Sequence, residues 1–230
     1  MGYHPLPQVK KVIGSRWVYK LKLNNDDTEE RHKARLVSKG YNQIAEIDYM
    51  DNFSPVAKEV TIRTFLAVAA TLDWHIHKLD INNAFLHDFL DEEIYVVPPE
   101  GYLVLDGHVC KLRRSLYGLK QASRQWNQEF TSKLVDYGFI QSKNDHCLFT
   151  KSMTNGFITL LVYVDDLLIA GTSKLILTKV KSYLEKLFTI KDPGMTKNFL
   201  GLEIARGNII QSGSLSKVGW QTTLSQFYQT

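Results

Sequence analysis

The spacing of apolar positions changes several times along the chain, and each change predicts an element. Residues 12 to 37 read as a β-hairpin: VIGSRWVYKLKL is rich in β-branched and aromatic residues, Asn24 to Thr28 is a turn cluster, and ERHKARLV resumes the extended pattern. Val60 to Asp73 is a helix with Val60, Phe65, Leu66, Val68, Ala69 and Leu72 on its apolar stripe. Trp74 to Ile81 alternates as a strand, with Ile76, Lys78 and Asp80 on one face and His75, His77, Leu79 and Ile81 on the other. Asn82 to Leu90 is a short turn or helix, and Ile94 to Val97 a strand stopped by Pro98-Pro99. Leu116 to Val135 holds a second helix, striped by Leu119, Ala122, Trp126, Phe130 and Leu134. A short strand is expected at Cys147 to Lys151. A third helix, Lys174 to Phe188, is capped by Thr172 or Ser173 and turns Leu175, Leu177, Val180, Tyr183, Leu184 and Leu187 inward. Asp192-Pro193-Gly194 is a turn signal, Phe199 to Ala205 one more strand, and the last 25 residues are polar and weakly periodic.

The most informative stretch is Phe157 to Gly171, FITLLVYVDDLLIAG. It is nearly continuous apolar sequence, as for a strand buried on both faces, interrupted only by Asp165 and Asp166. Two adjacent carboxylates in such surroundings repel each other and are costly to bury unpaired. They make physical sense at a tight turn between two buried strands, facing a cation.

Composition narrows the class without choosing a function. The 230 residues are 44% hydrophobic and 23% charged, ordinary values for a folded chain. A formal net charge of +4 and a sequence pI near 8.9 are compatible with a polyanionic partner. Cys110 and Cys147 are the two cysteines and are expected as free thiols in a reducing compartment. The opening MGYHPLPQVKK has no apolar signal core, and Leu6 stands where a myristoylation signal needs Ser or Thr. The 157–171 run is too short to span a bilayer and carries two acids, so no membrane role is expected.

Candidate chemistry gathers on three acids. Asp80 ends one strand, and Asp165-Asp166 follow 85 positions later at a hairpin tip. Adjacent antiparallel strands would bring the three together, a donor set suited to the divalent ions of phosphoryl transfer. Arg31, Lys33 and Arg35 project from one face of the first hairpin. They read either as a solvated edge strand or as a strip that binds triphosphate. His75 and His77 have no matching Cys or His cluster and are read as structural or surface residues.

In order, the segments FSPVAK, KLDINNAFLHDFLDEEIYV, SLYGLKQASRQW, LLVYVDDLLIAG and KNFLGLEIA resemble the reverse transcriptases of copia-type LTR retrotransposons, over roughly residues 7 to 206. The resemblance implies an α+β right-hand polymerase with fingers and palm, an antiparallel palm sheet with helices packed on one face, and no thumb. It divides the chain into a fingers hairpin region (1–57), palm with the first acidic motif (58–90), a fingers return (91–118), palm with the YVDD hairpin and primer-holding strand (119–206) and a divergent, poorly ordered tail (207–230). The implied activity is RNA-directed DNA polymerisation by two-metal nucleotidyl transfer, with two Mg²⁺ or Mn²⁺ ions as cofactors. Matched residue by residue, Asp80, Asp165 and Asp166 are the catalytic acids and, with the carbonyl of Ile81, the metal ligands. Lys33 and Arg35 would grip the triphosphate, Phe85 would be the gate against a ribose 2′-OH, and Tyr117 and Gly118 would pack on the incoming nucleotide. Tyr163, Phe199, Gly201 and Glu203 would meet primer and template. The partners implied are an RNA or DNA template with primer, dNTPs, and the RNase H and integrase regions of a Pol polyprotein, which are missing here. The implied location is intracellular, in a cytoplasmic virus-like particle. Asp88 stands where the family usually has Gly, Pro193 replaces an aliphatic residue, and the tail departs from the family pattern. The divergent tail and the missing thumb open the alternative of a truncated, non-catalytic relic that at most binds nucleic acid.

Overall fold

The structure is a computed structural model describing the chain except residues 1, 6, 8–9, 24–25, 27, 88, 103–106, 195–197, 201, 209–217 and 225–230, together with the side chains of 193, 198, 203, 205–208 and 218–224. In chain order the elements begin β1 (Gly2–Pro5), β2 (Val12–Ile13), β3 (Ser15–Leu23), β4 (Glu29–Ser38), α1 (Glu59–Thr71), β5 (His75–Ile81), β6 (Tyr95–Val96), β7 (His108–Lys111) and α2 (Ala122–Asp136). They continue β8 (Ile140–Gln141), β9 (Leu148–Met153), β10 (Gly156–Tyr163), β11 (Asp166–Gly171), α3 (Lys174–Leu187), β12 (Ile190–Gly194), β13 (Asn198–Phe199), β14 (Leu202–Asn208) and β15 (Val218–Leu224). The fold class is α+β, and no helix among the described residues is long and apolar enough to cross a membrane.

The chain divides into two compact units, Met1–Ser54 with Phe85–Phe130, and Pro55–Ala84 with Thr131–Thr230. In the first, β1, β7, β6 and β2 form a sheet and β3–β4 a separate two-stranded ribbon. Ile13, Ile94, Val96, Cys110, Leu112, Leu116, Leu119 and Ala122 make its core. The helix begins at Ala122 rather than Leu116, because Gly118 adopts a φ of +89°. That glycine is required by close packing. A Cβ at Gly118 would lie 2.2 Å from the Ser38 carbonyl oxygen, and one at Gly40 would lie 1.9 Å from the Gly118 carbonyl oxygen. Ser38 N–H donates to the Tyr117 carbonyl at 2.8 Å, so the end of β4 and the 117–118 segment are joined backbone to backbone.

The second unit is built on the six-stranded sheet β12-β5-β11-β10-β9-β8. Apolar residues occupy both of its faces. Ile76, Leu161, Leu168 and Ala170 share a core cluster with Ile62, Phe65, Leu66 and Ala69 of α1 and with Phe199, Leu202 and Ile204. The opposite face carries Leu79, Ile81, Leu160, Val162, Leu167 and Ile169, all buried. Here α3 packs on β10 and β11, and its Lys181 Nζ reaches His77 Nδ1 at 2.7 Å and Asp192 Oδ2 at 2.6 Å. Helices therefore cover both faces, which corrects the expectation of one covered face. A sheet apolar on two sides must bury both.

Other boundaries shift for local reasons. The buried stripe of α1 is Ile62, Phe65, Leu66 and Ala69, whereas Val60 (74%), Val68 (41%) and Leu72 (56%) are exposed. On α3 Leu175 points outward and Ile176 is buried in its place. The Asp192–Gly194 turn signal falls inside β12, where Gly194 N–H donates to Asp192 Oδ1 at 2.8 Å and the pairing with β5 slips. Phe199 to Ala205 is not one strand: Leu200 takes a φ of +49°, and the chain folds back as β13 against β14. The stretch 207–230 contains β15, paired with β14 from Leu202↔Leu224 to Asn208↔Val218, while 209–217 and 225–230 lie outside the described residues.

One buried acid anchors the helix that leads into β5. The N-cap residue of α1, Lys58, offers no side-chain acceptor. Asp145 supplies it from across the chain, its Oδ2 accepting from Lys58 N–H at 3.2 Å and Thr61 Oγ1 at 2.6 Å, and its Oδ1 accepting from Cys147 N–H at 2.9 Å. Burial works to raise the Asp145 pKa, but the donors from Thr61, Cys147 and Lys58 outweigh it and hold the carboxyl below its ordinary value. Burial, then the Asp145 charge, push the neighbouring Cys147 thiol up to about 12, so it stays protonated and unreactive. Both cysteines are free and buried.

Replacing Asp145 with Ala is expected to cost about 1–2 kcal/mol at neutral pH, measured by urea unfolding. Because the folded pKa is depressed, this stabilisation is present above the unfolded value of about 3.9 and is lost as pH falls through the folded value, so wild type and variant should converge in acid. Gly118→Ala is expected to cost about 2–4 kcal/mol, from positive-φ strain and the clash with Ser38, read as a lower unfolding midpoint.

Candidate active site

The apolar run 157–171 folds into the β10–β11 hairpin, paired from Ile158↔Gly171 to Tyr163↔Asp166. Val164 and Asp165 form its two-residue loop. Val164 has a φ of +56° and Asp165 is not among the positive-φ residues, the pattern of a type II′ turn. A β-branched residue in that region is strained by roughly 1–3 kcal/mol. The turn is thus held by the pairing on either side of it.

On its other edge β11 pairs with β5, and this register sets Asp166 directly opposite Asp80. Directly opposed residues of an antiparallel pair put their side chains on the same face, about 4.5–5.5 Å apart at Cβ. Ile81 N–H donates to the Asp165 carbonyl at 2.9 Å, which fixes the loop against the end of β5. The Asp80 carboxylate is half-buried and has no hydrogen-bond or ion-pair partner among the described residues. Asp166 Oδ1 lies 2.7 Å from Lys78 Nζ, and Lys191 of β12 stands opposite Asp80 on the far side of β5. Among the described residues no three His, Cys, Asp or Glu side chains converge as a metal-ligand group. The local donor chemistry is two opposed carboxylates, with Asp165 next to one of them in the chain. It suits a hard divalent ion that takes one or two protein carboxylates and completes its shell with substrate phosphates and water.

Around these acids, Tyr163 lies opposite Asp166 and packs on the core cluster, and Phe199 is buried at 1% exposure. The backbone of Glu203 pairs with Asn198 and Thr223. Gly201 and Asp88 lie outside the described residues.

The nucleotide-binding candidates belong to the other unit. In the β3–β4 ribbon Val18↔Arg35, Lys20↔Lys33 and Lys22↔Arg31 are direct partners, so one face carries cation opposite cation twice. Like charges placed directly opposite destabilise a ribbon and favour an anion over it. The Arg35 guanidinium lies over the Tyr117 ring at 5.2 Å, and its Nε is buried without a hydrogen-bond partner. Tyr117 in turn meets Phe85 edge-on, with ring centroids 4.9 Å apart. Arg35, Tyr117 and Phe85 thus form one continuous stack, whereas Lys33 lies one pleat further along β4 from Arg35.

The sequence reading passed over several residues that set this geometry. Gln43 Nε2 donates to Gln121 Oε1 at 3.1 Å, while Gln43 Oε1 accepts from Lys120 N–H at 2.8 Å, tying the loop after β4 to the segment that follows Gly118. Glutamine carries no periodicity signal, so only burial identifies this pair. Lys78 shares its strand face with Asp80, and only the cross-strand register shows that its ammonium pairs with Asp166.

Comparison with known proteins bears on the family of the chain. Residues 4–224 match the family of reverse transcriptases (RNA-dependent DNA polymerases). The chain is 46% identical over 204 residues to the retrovirus-related Pol polyprotein from transposon TNT 1-94 of Nicotiana tabacum, covering 87% of this chain and 15% of that protein. It is 42% identical over 204 residues to the corresponding polyprotein from transposon RE1 of Arabidopsis thaliana, covering 88% of this chain and 14% of that protein. A putative transposon Ty5-1 protein of Saccharomyces cerevisiae is 41% identical over 128 residues, 55% of this chain and 42% of that protein. The chain therefore spans about one seventh of the length of the plant polyproteins it resembles. With that match across most of its length, the chain belongs to the reverse transcriptase family, in the branch carried by copia-type retrotransposon Pol polyproteins.

Proposed function

We propose that this chain performs RNA-directed DNA synthesis, extending a primer with deoxynucleotides by nucleotidyl transfer. The observation that carries the reading is the register that opposes Asp80 to Asp166 beside the Val164–Asp165 turn. In this reading the six-stranded sheet is the palm and the β3–β4 ribbon belongs to the fingers. Asp80 and Asp165 would hold Mg²⁺ or Mn²⁺, with Asp166 and the Ile81 carbonyl completing the shell. Bound there, two divalent ions would supply the positive charge that makes the primer 3′-hydroxyl nucleophilic and that stabilises departing pyrophosphate.

The remaining work falls to side chains of the chain itself. Lys33 and Arg35 bind the triphosphate, the Arg35 guanidinium being held in place over the Tyr117 ring. Phe85 presents its ring to the sugar and excludes a 2′-hydroxyl, braced by the Tyr117 ring. Tyr163 and the β13–β14 hairpin stand toward the primer-template, with Phe199 acting from the core beneath. The partners are a primed RNA or DNA template and dNTPs, with RNase H and integrase regions as neighbours in a polyprotein.

Primer extension on an RNA template with Mg²⁺ tests the reading. Asp165→Asn is expected to lower the rate by about 10²-fold or more, the scale on which preorganised charge acts in active sites. Equal rates for the two proteins, or no extension by either, would favour a nucleic-acid-binding relic. Phe85→Ala is expected to admit ribonucleotides; unchanged sugar discrimination removes Phe85 from the gate.

A further inference from the structure

The acids at the end of β5 and β11 are accompanied by a cation that the polymerase reading does not use. Lys78 lies two residues before Asp80 on the same face, and β11 places Leu168 opposite it. Asp166 is therefore its diagonal neighbour, about 7–8 Å away between backbones. A lysine stem spans that distance, and the ammonium reaches Asp166 Oδ1 at 2.7 Å. The side chains of Lys78 and Asp166 are 25% and 27% exposed, so water screens the pair only in part. The same ammonium lies 5.8 Å from the centroid of the Phe199 ring, which is itself buried. Lys78 is thereby fixed by three elements, β5, β11 and β13. Asp80, directly opposite Asp166, makes no such pair among the described residues.

We propose that Lys78 is a positioning residue that acts as a built-in counter-cation, holding Asp166 away from the ion-binding pair until divalent metal displaces it. The proposal rests on the polymerase reading above. Two carboxylates opposed on neighbouring strands destabilise the metal-free sheet unless a cation compensates one of them. Lys78 supplies that charge. The consequence is a competition: an ion entering beside Asp80 must draw Asp166 off Lys78 or do without it. Asp166 is then the weakest-bound acid of the three, for a reason visible in its partner. Contact with Phe199 also ties the position of this cation to the β13–β14 hairpin.

Binding of Mn²⁺ to the full chain without substrate, followed by the loss of the free-ion electron paramagnetic signal, tests the proposal independently of catalysis. Lys78→Met is expected to bind Mn²⁺ about three- to fivefold more tightly, the upper end of the scale of one partly exposed ion pair. Lys78→Arg keeps the charge and should stay within about twofold of wild type by the same argument. In an Asp166→Asn background, Lys78→Met should bring no tightening beyond the removal of one positive charge, well below its effect with Asp166 present. Lys78→Met should also lower thermal stability without metal and recover it with Mn²⁺, whereas a purely structural lysine would lower it under both conditions. If Lys78→Met fails to fold, Lys78→Gln in the same titration takes its place. Unchanged or weaker Mn²⁺ affinity in Lys78→Met or Lys78→Gln overturns the proposal. If wild type binds no Mn²⁺ and Asp80→Asn changes nothing, it is the metal-dependent polymerase reading that fails instead.

Discussion

The opposition of Asp80 and Asp166 on neighbouring strands is the constraint on which the second unit turns. Carboxylates are not placed opposite one another at the end of an apolar sheet without compensation, because like charges directly opposed across two strands repel. The surrounding structure supplies the conditions for this placement. The β10–β11 pairing holds a strained Val164 in the loop, the Ile81–Asp165 backbone bond fixes that loop against β5, and Lys78 neutralises one acid. The apolar residues flanking the acids are the reason the register cannot slip. A one-residue shift would carry Leu167 and Ile169 to the opposite face and move Asp166 out of opposition to Asp80.

A second principle shapes the other unit: backbone approaches backbone where side chains must be aimed. Gly40 and Gly118 allow the end of β4 to meet the 117–118 segment, and the buried Gln43–Gln121 pair holds the following loop. On this support the Arg35 guanidinium, Tyr117 ring and Phe85 ring stack in series. The ribbon face sets lysine opposite lysine and lysine opposite arginine, a concentration of positive charge whose repulsion an anion would relieve.

Much of this was legible in the chain. The hairpin at 157–171, the three helices and the strand ending at Asp80 all follow from hydrophobic period, because burial on one face or two writes a period of 3.6 or 2 into the sequence. The pattern misleads where period is silent. Val60, Val68 and Leu72 also lie at helical spacing, but a helix of 13 residues offers more than one apolar arc, and the core it joins buries Ile62, Phe65, Leu66 and Ala69. FLGLEIA reads as one strand because a left-handed Leu200 leaves no trace in composition. The cap on α1 comes from Asp145, 84 positions beyond Thr61, and no local rule could have named it.

The candidate site divides in the same way. The sequence by itself singled out the candidate acids, since two adjacent carboxylates inside an apolar run have few physical justifications, and it determined the family through the order of its motifs. Only the tertiary structure decided how those acids are paired. Cross-strand register is a relation between residues 86 positions apart, Asp80 and Asp166, and it is set by the hydrogen-bond ladder and not by either segment alone. The role of Lys78 belongs to the same category. Its charge was visible in the chain, but its partner was chosen by the diagonal geometry of a twisted antiparallel pair.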